Sequence, residues 1–200
     1  MVIITNKNFN DFVQIPNYII FKMIRKKISL THFSDILRVN LLAKFGGIWI
    51  DSTVFFNERI EDFINCQNEL VTVTQFRVDY NISSGKWSSW FIGTKSVLPY
   101  FKVCVEFFNA YWKNNNYLIN YFLIDYIIYF LYKNTSFSYF VDNVKKSCFS
   151  AYDLMNVRNT LCNKSHFNEF LKEHPINKLN YKSIFDYKKE GTYAYYFFVN

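Results

Sequence analysis

Glycine and proline are scarce in this chain, 5 and 3 among 200 residues. Nowhere do they gather with serine into a linker, and no internal repeat shows, so one domain spanning residues 1–200 is the expectation. The four cysteines, Cys66, Cys104, Cys148 and Cys162, have neither the density of a disulfide scaffold nor the close pairs of a zinc site. They are expected to be free thiols in a reducing compartment. The histidines, His32, His166 and His174, are scattered and form no metal-ligand pattern; His32 reads as a capping or packing residue. No charged-then-apolar leader opens the chain, since Met1-Val2-Ile3-Ile4 passes at once to Thr5-Asn6-Lys7-Asn8. The most apolar run, residues 121–132, falls short of the roughly 20 residues that span a bilayer and carries Asp125. A cytoplasmic protein is expected, touching the inner face of the cell membrane only at a surface.

What is present is apolar and basic. With 50% apolar residues the chain can bury a substantial core. Its 23 Phe and 16 Tyr, alongside abundant Asn and Lys, fit an AT-rich coding bias, so aromatic count alone argues for no function. The formal charge of +7 favours encounter with an anionic partner, whether nucleic acid, acidic lipid or nucleotide diphosphate. Charge alone does not choose among them.

Along the chain, residues 2–4 form a short β-branched run, and residues 10–12 and 18–23 read as short helices separated by Pro16. Arg25-Lys26-Lys27-Ile28-Ser29 is a basic connector, either a solvated loop or a contact for phosphate or lipid. From Ser34 the apolar positions Ile36, Leu37, Val39, Leu41, Leu42 and Phe45 cover much of a helix. Gly46 stands where a left-handed residue ends it. Residues 48–56 then read as a central parallel strand, apolar on both faces except at Asp51, Ser52 and Thr53, and residues 70–76 as a second strand. Residues 86–93 suggest a loop leading into a short strand. Residues 99–112 and 117–132 read as helices joined by Asn114-Asn115-Asn116. Further helices are expected at 140–146 and at 165–172, the last stopped by Pro175. The fold class is α/β, a sheet flanked by helices with a helical C-terminal half.

Chemistry concentrates between residues 34 and 53. Asp35 and Arg38 are three residues apart on one helix face, able to form an ion pair or to share a ligand. Asp51 follows the apolar triplet Ile48-Trp49-Ile50, where a carboxylate is costly to bury unpaired. In open α/β sheets, ligands gather at the carboxyl ends of strands.

The segment from His32-Phe33-Ser34-Asp35-Ile36-Leu37-Arg38 through Phe45-Gly46-Gly47-Ile48-Trp49-Ile50-Asp51-Ser52-Thr53 closely resembles the capsular polysaccharide synthesis proteins. These are relatives of the glycosyltransferases whose sugar-nucleotide site is named after an Asp-X-Asp motif. Asp35, Arg38, Gly46, Gly47, Trp49 and Asp51 fill the shared pattern in order. The resemblance extends more loosely to residues 11–26, 87–92, 112–126 and 175–182. It implies a GT-A-like, Rossmann-like mixed sheet and transfer of a hexose from a nucleotide sugar to a lipid-linked or oligosaccharide acceptor, with retention of configuration. Nucleic acid is not an expected partner.

Under that resemblance Asp35 would accept hydrogen bonds from sugar hydroxyls, Arg38 would contact the sugar or the diphosphate, and Asp51 would hold the ribose or a divalent cation, Mn or Mg. Trp49 would wall the sugar pocket or pack in the core. Trp87 and Trp90 are candidates for an acceptor platform, Asp125 for a buried site acid, and Lys182 for a phosphate contact. Two departures stand out. Thr53 replaces the second aspartate, and a neutral hydroxyl is a poor ligand for a hard cation. The chain also starts where the family's second strand lies, so its first strand and helix are expected to be missing and the chain to be N-terminally truncated. The rival readings are a truncated, inactive family member that binds a partner, and a basic module for anionic surfaces.

Overall fold

Ser29 starts the helix that organises the rest of the chain. Its side chain accepts the backbone N–H of His32, which fixes the N-terminus of helix α2, Leu30–Phe45, one turn earlier than the apolar pattern from Ser34 suggests. In the computed structural model, which describes residues 1–75, 81–180 and 182–199, the helix ends at Gly46, whose φ of 65° lets its N–H reach back to Leu42 O. Before it come a short 3-10 turn, Phe9–Asp11, and helix α1, Asn17–Ile24. Among the described residues, residues 2–4 pair with no strand. Val2 and Ile3 are exposed, and Ile3 O is taken up by the Asn8 side chain, so the strand expected there is corrected to a surface segment.

The strand expected over residues 48–56 is two strands. Strand β1, Gly47–Ile50, ends before Asp51, and a turn closed by Val54 N–H to Asp51 O leads into β2, Val54–Phe56. Helix α3, Ile60–Asn65, follows, then β3, Leu70–Thr72, shorter than the strand expected over 70–76; Phe76 lies outside the described residues. Strand β4, Phe91–Thr94, pairs antiparallel with β1 on one side and with β3 on the other. The parallel strand expected at 48–56 is therefore corrected. β1 lies at an edge, its apolar residues covered by helix and aromatic side chains, while the wholly buried β4 holds the centre.

Helices dominate the remainder: α4, Pro99–Asn114; α5, Leu123–Asn134; α6, Phe137–Asp142; α7, Asp153–Val157; and α8, Lys164–Glu173. The helix expected over 117–132 begins only at Leu123, and the one expected over 140–146 lies earlier, at α6. Strand β5, Ile176–Lys178, pairs antiparallel with β2, and helix α9, Tyr193–Val199, closes the described chain. Among the described residues the outcome is a mixed α/β structure with two small antiparallel sheets, of three and two strands.

The three-stranded sheet separates two apolar clusters by simple alternation of side chains. Leu70 and Ile92 face a cluster built by α1, α2, α4, α5 and α6, whereas Val71 and Phe91 face a second one with Trp90, Phe149 and Ile176. Gly93 sits opposite Ile48, and a Cβ there would fall 2.0 Å from Gly47 O. The close approach of β1 to β4 thus requires glycine at this position. All four cysteines are free thiols, and burial pushes Cys104 up to about 12.

Candidate functional site

Helix α2 and strand β1 carry the charged residues to one place. Asp35 and Arg38 share a face of α2 that is turned inward, and Arg38 is only 3% exposed. Its guanidinium donates in two directions, one nitrogen lying 3.2 Å from Asp35 Oδ1 and another 3.2 Å from Asp51 Oδ1. Below it lies the Trp49 ring, 5.2 Å from the guanidinium carbon, and the Trp49 indole N–H donates to the same Asp51 oxygen at 2.8 Å. Asp51 is held at the strand end because its N–H continues the β1–β4 ladder to Trp90 O at 2.9 Å.

The second oxygen of Asp51 faces a residue the sequence reading missed. Lys178, on β5, places its Nζ 3.0 Å from Asp51 Oδ2 and also donates to Thr53 Oγ1. The Trp90 ring lies 5.7 Å from the same ammonium. Register delivers it there: Lys178 is opposite Val54, and Leu179 N–H donates to Thr53 O at 2.8 Å. The closing stretch of residues 175–182 holds two lysines, of which only Lys182 was a candidate for a phosphate contact. That residue sits in an exposed turn, its backbone N–H bonded to Asn180 Oδ1.

Asp125, in the first turn of α5, joins the cluster from the other side. It accepts the Trp87 indole N–H at 3.0 Å and the Ser89 hydroxyl at 3.5 Å. Burial raises its carboxyl above the ordinary range, an effect that those two donors and Arg38 oppose. Burial also pushes Asp35 up to about 7. Arg38 pulls it down, while Asp125 and Asp51 add to the rise. Asp35 is thus a carboxyl that keeps its proton far above the usual carboxylate range, up to about pH 7.

Of the expected site residues, Asp35, Arg38, Trp49, Asp51, Trp90 and Asp125 therefore belong to one constellation. Trp87 is 2% exposed and offers no face to a sugar ring, so its expected place in an acceptor platform is corrected to that of a buried donor holding Asp125. Trp90 is buried as well, covering Lys178. His32 bonds the Ser29 hydroxyl at 2.6 Å and packs edge-on to Tyr121, a capping and packing role.

The donor set does not fit the divalent cation implied by the resemblance. A hard cation of this kind takes several oxygens, carboxylates foremost. Here one oxygen of Asp51 is taken by Arg38 and Trp49, the other by Lys178, and the Thr53 hydroxyl also receives Lys178. Among the described residues no group of three or more His, Cys, Asp or Glu is placed to hold a metal ion.

A mixed α/β protein with a charge cluster at a strand end, clamped between a helix and a distant strand, is what fold and site together define. The chain matches the family described as capsular polysaccharide synthesis protein over residues 1–197, and it belongs to that family. No curated protein and no solved structure matches it. Among the described residues no helix is long and apolar enough to cross a membrane.

Proposed function

We propose that the protein is a glycosyltransferase of capsular or exopolysaccharide assembly, moving a hexose from a nucleotide sugar to a glycan acceptor. The observation that carries the reading is Asp51. It stands at the end of β1 with a side chain 28% exposed, against 10% for Asp35, in a cluster that supplies two cations and three indoles. Kinship with the Asp-X-Asp transferases rests on residues 35 to 53 and not on the sheets, which are small and antiparallel.

In this reading Asp51 accepts hydrogen bonds from the donor's ribose or sugar hydroxyls. Arg38, buried and shared between two carboxylates, orients Asp51 and lends positive potential; Asp35 and Trp49 hold Arg38. The bond from the anomeric carbon to the phosphate oxygen breaks, and the diphosphate leaves with the electron pair. The acceptor hydroxyl adds on the same face, its proton passing to the departing phosphate oxygen, which gives retention without an enzyme nucleophile. Presentation of a lipid-linked acceptor at the inner membrane face is supported by exposed Phe21, Ile24 and Leu30 flanking Arg25, Lys26 and Lys27.

The test is a nucleotide-sugar screen by thermal shift and by release of nucleoside diphosphate, run beside Asp51→Ala. At least one donor should stabilise the wild type and be turned over, with both effects lost in the variant. If none stabilises the protein and none is hydrolysed, the transferase reading fails.

A further inference from the structure

Two positions of the motif face one ammonium. Asp51 and Thr53 stand where an Asp-X-Asp site would offer two carboxylates to a divalent ion, and the Lys178 Nζ is bonded to both. Lys178 is not a surface side chain that has folded over the site. Its side chain is 16% exposed, with the Trp90 ring against it, and the backbone on either side is fastened, Lys178 N–H to Ala151 O at 2.7 Å and Leu179 N–H to Thr53 O at 2.8 Å. A cation delivered this way repels a second one brought to the same oxygens.

We infer that Lys178 is the resident cation of this site, and that Lys178 and Thr53 together form a metal-independent subsite for a diphosphate. The inference rests on the nucleotide-sugar reading for the rest of the ligand. The proton inventory suits an oxyanion. An ammonium has three N–H bonds, and those to Asp51 and Thr53 leave one to give. The Thr53 hydroxyl accepts from the ammonium, so its own proton can go to a phosphate oxygen. A carboxylate at position 53 would repel that phosphate unless a metal stood between them, whereas threonine does not. Threonine at 53 and lysine at 178 thus make one consistent exchange: the negative group that recruits an ion is gone, and a covalently attached positive group occupies the place. As the diphosphate departs, Lys178 can stabilise the developing charge.

The experiment is titration calorimetry of the full chain with sodium pyrophosphate, UDP and GDP, first in EDTA and then in magnesium or manganese chloride. Pyrophosphate and one of the nucleotides should bind in EDTA, with affinities that the metals change by no more than about twofold. Lys178→Met should weaken binding by about tenfold or more, as loss of a charge-assisted contact implies, and Lys178→Arg should restore most of it. Should the methionine variant melt below the assay temperature, Thr53→Val, which keeps the lysine, serves instead and should also weaken binding. In a separate thermal-shift measurement, manganese should stabilise the double variant T53D/K178A and leave the wild type unmoved. Binding that requires a metal, or that survives both Lys178→Met and Thr53→Val in EDTA, overturns the inference while leaving the transferase reading in place. Lysine-dependent binding of pyrophosphate without either nucleotide supports the subsite and removes the nucleotide. Failure of every probe, with and without metal, removes both.

Discussion

The charge cluster has an inner end and an outer end, and they are built differently. At the inner end Asp35 and Arg38 lie one turn apart on α2, nearly closed to solvent, and the carboxyl is raised to about 7 by its burial. At the outer end Asp51 and Lys178 meet across 127 residues of sequence, and the Asp51 side chain keeps 28% of its exposure. Arg38 belongs to both, since it donates to each aspartate. The difference separates positioning from access: the end sealed in apolar packing fixes where Asp51 points, and the outer end leaves a carboxylate open to solvent.

Breaking the shared member should have the largest effect. Arg38→Met leaves Asp35 buried without its partner and leaves Asp51 Oδ1 with the Trp49 indole alone, and a loss of about 3–5 kcal/mol is expected for an opened buried pair. Urea unfolding at pH 7 measures it, and a loss below about 1 kcal/mol would show that the inner end is not structural. The next effect is in pH dependence. The folded pKa of Asp35, about 7, lies above its ordinary 3.8, so the folded state holds a proton that the unfolded chain has released. The stabilising contribution of that proton is complete below about pH 4 and is lost as pH rises through about 7. Asp35→Asn should flatten the fall in urea midpoint between pH 5 and pH 8. An unchanged slope would mean that Asp35 is ionised in the fold. The smallest effect sharpens the contrast with an ordinary surface pair. Lys86 and Asp142 lie 2.7 Å apart with side chains 40% and 48% exposed, and Lys86→Ala should shift stability by only about 0–1 kcal/mol.

The inner end was legible in the sequence because it is local. Three-residue spacing puts Asp35 and Arg38 on one helix face, Gly46 marks the helix end, and the acid after Ile48-Trp49-Ile50 marks the strand end. The outer end was not, because Lys178 reaches Asp51 only through the pairing of β2 with β5, and no periodicity within either segment encodes a partner so distant. The strand direction failed for a related reason. An apolar run says that a strand is covered, and in β1 the cover is a helix and aromatic rings, not strands on both sides. Trp87 and Trp90 look alike in sequence, yet they sit in opposite clusters, one holding Asp125 and the other covering Lys178. Asp125 was singled out for being an acid in an apolar helix, and its burial beside the cluster follows from that same pattern.

Gly93 gives the site a genetic boundary. A missense change in its codon always introduces a Cβ, and that atom would meet the backbone of Gly47 and Ile48 rather than a side chain able to swing aside. Strand β1 would be wedged from β4 a few residues before Asp51, whose own amide depends on that ladder. A lineage that keeps this site therefore has no tolerated neighbour at codon 93 short of rebuilding the strand pair, although the residue touches none of the charges it protects.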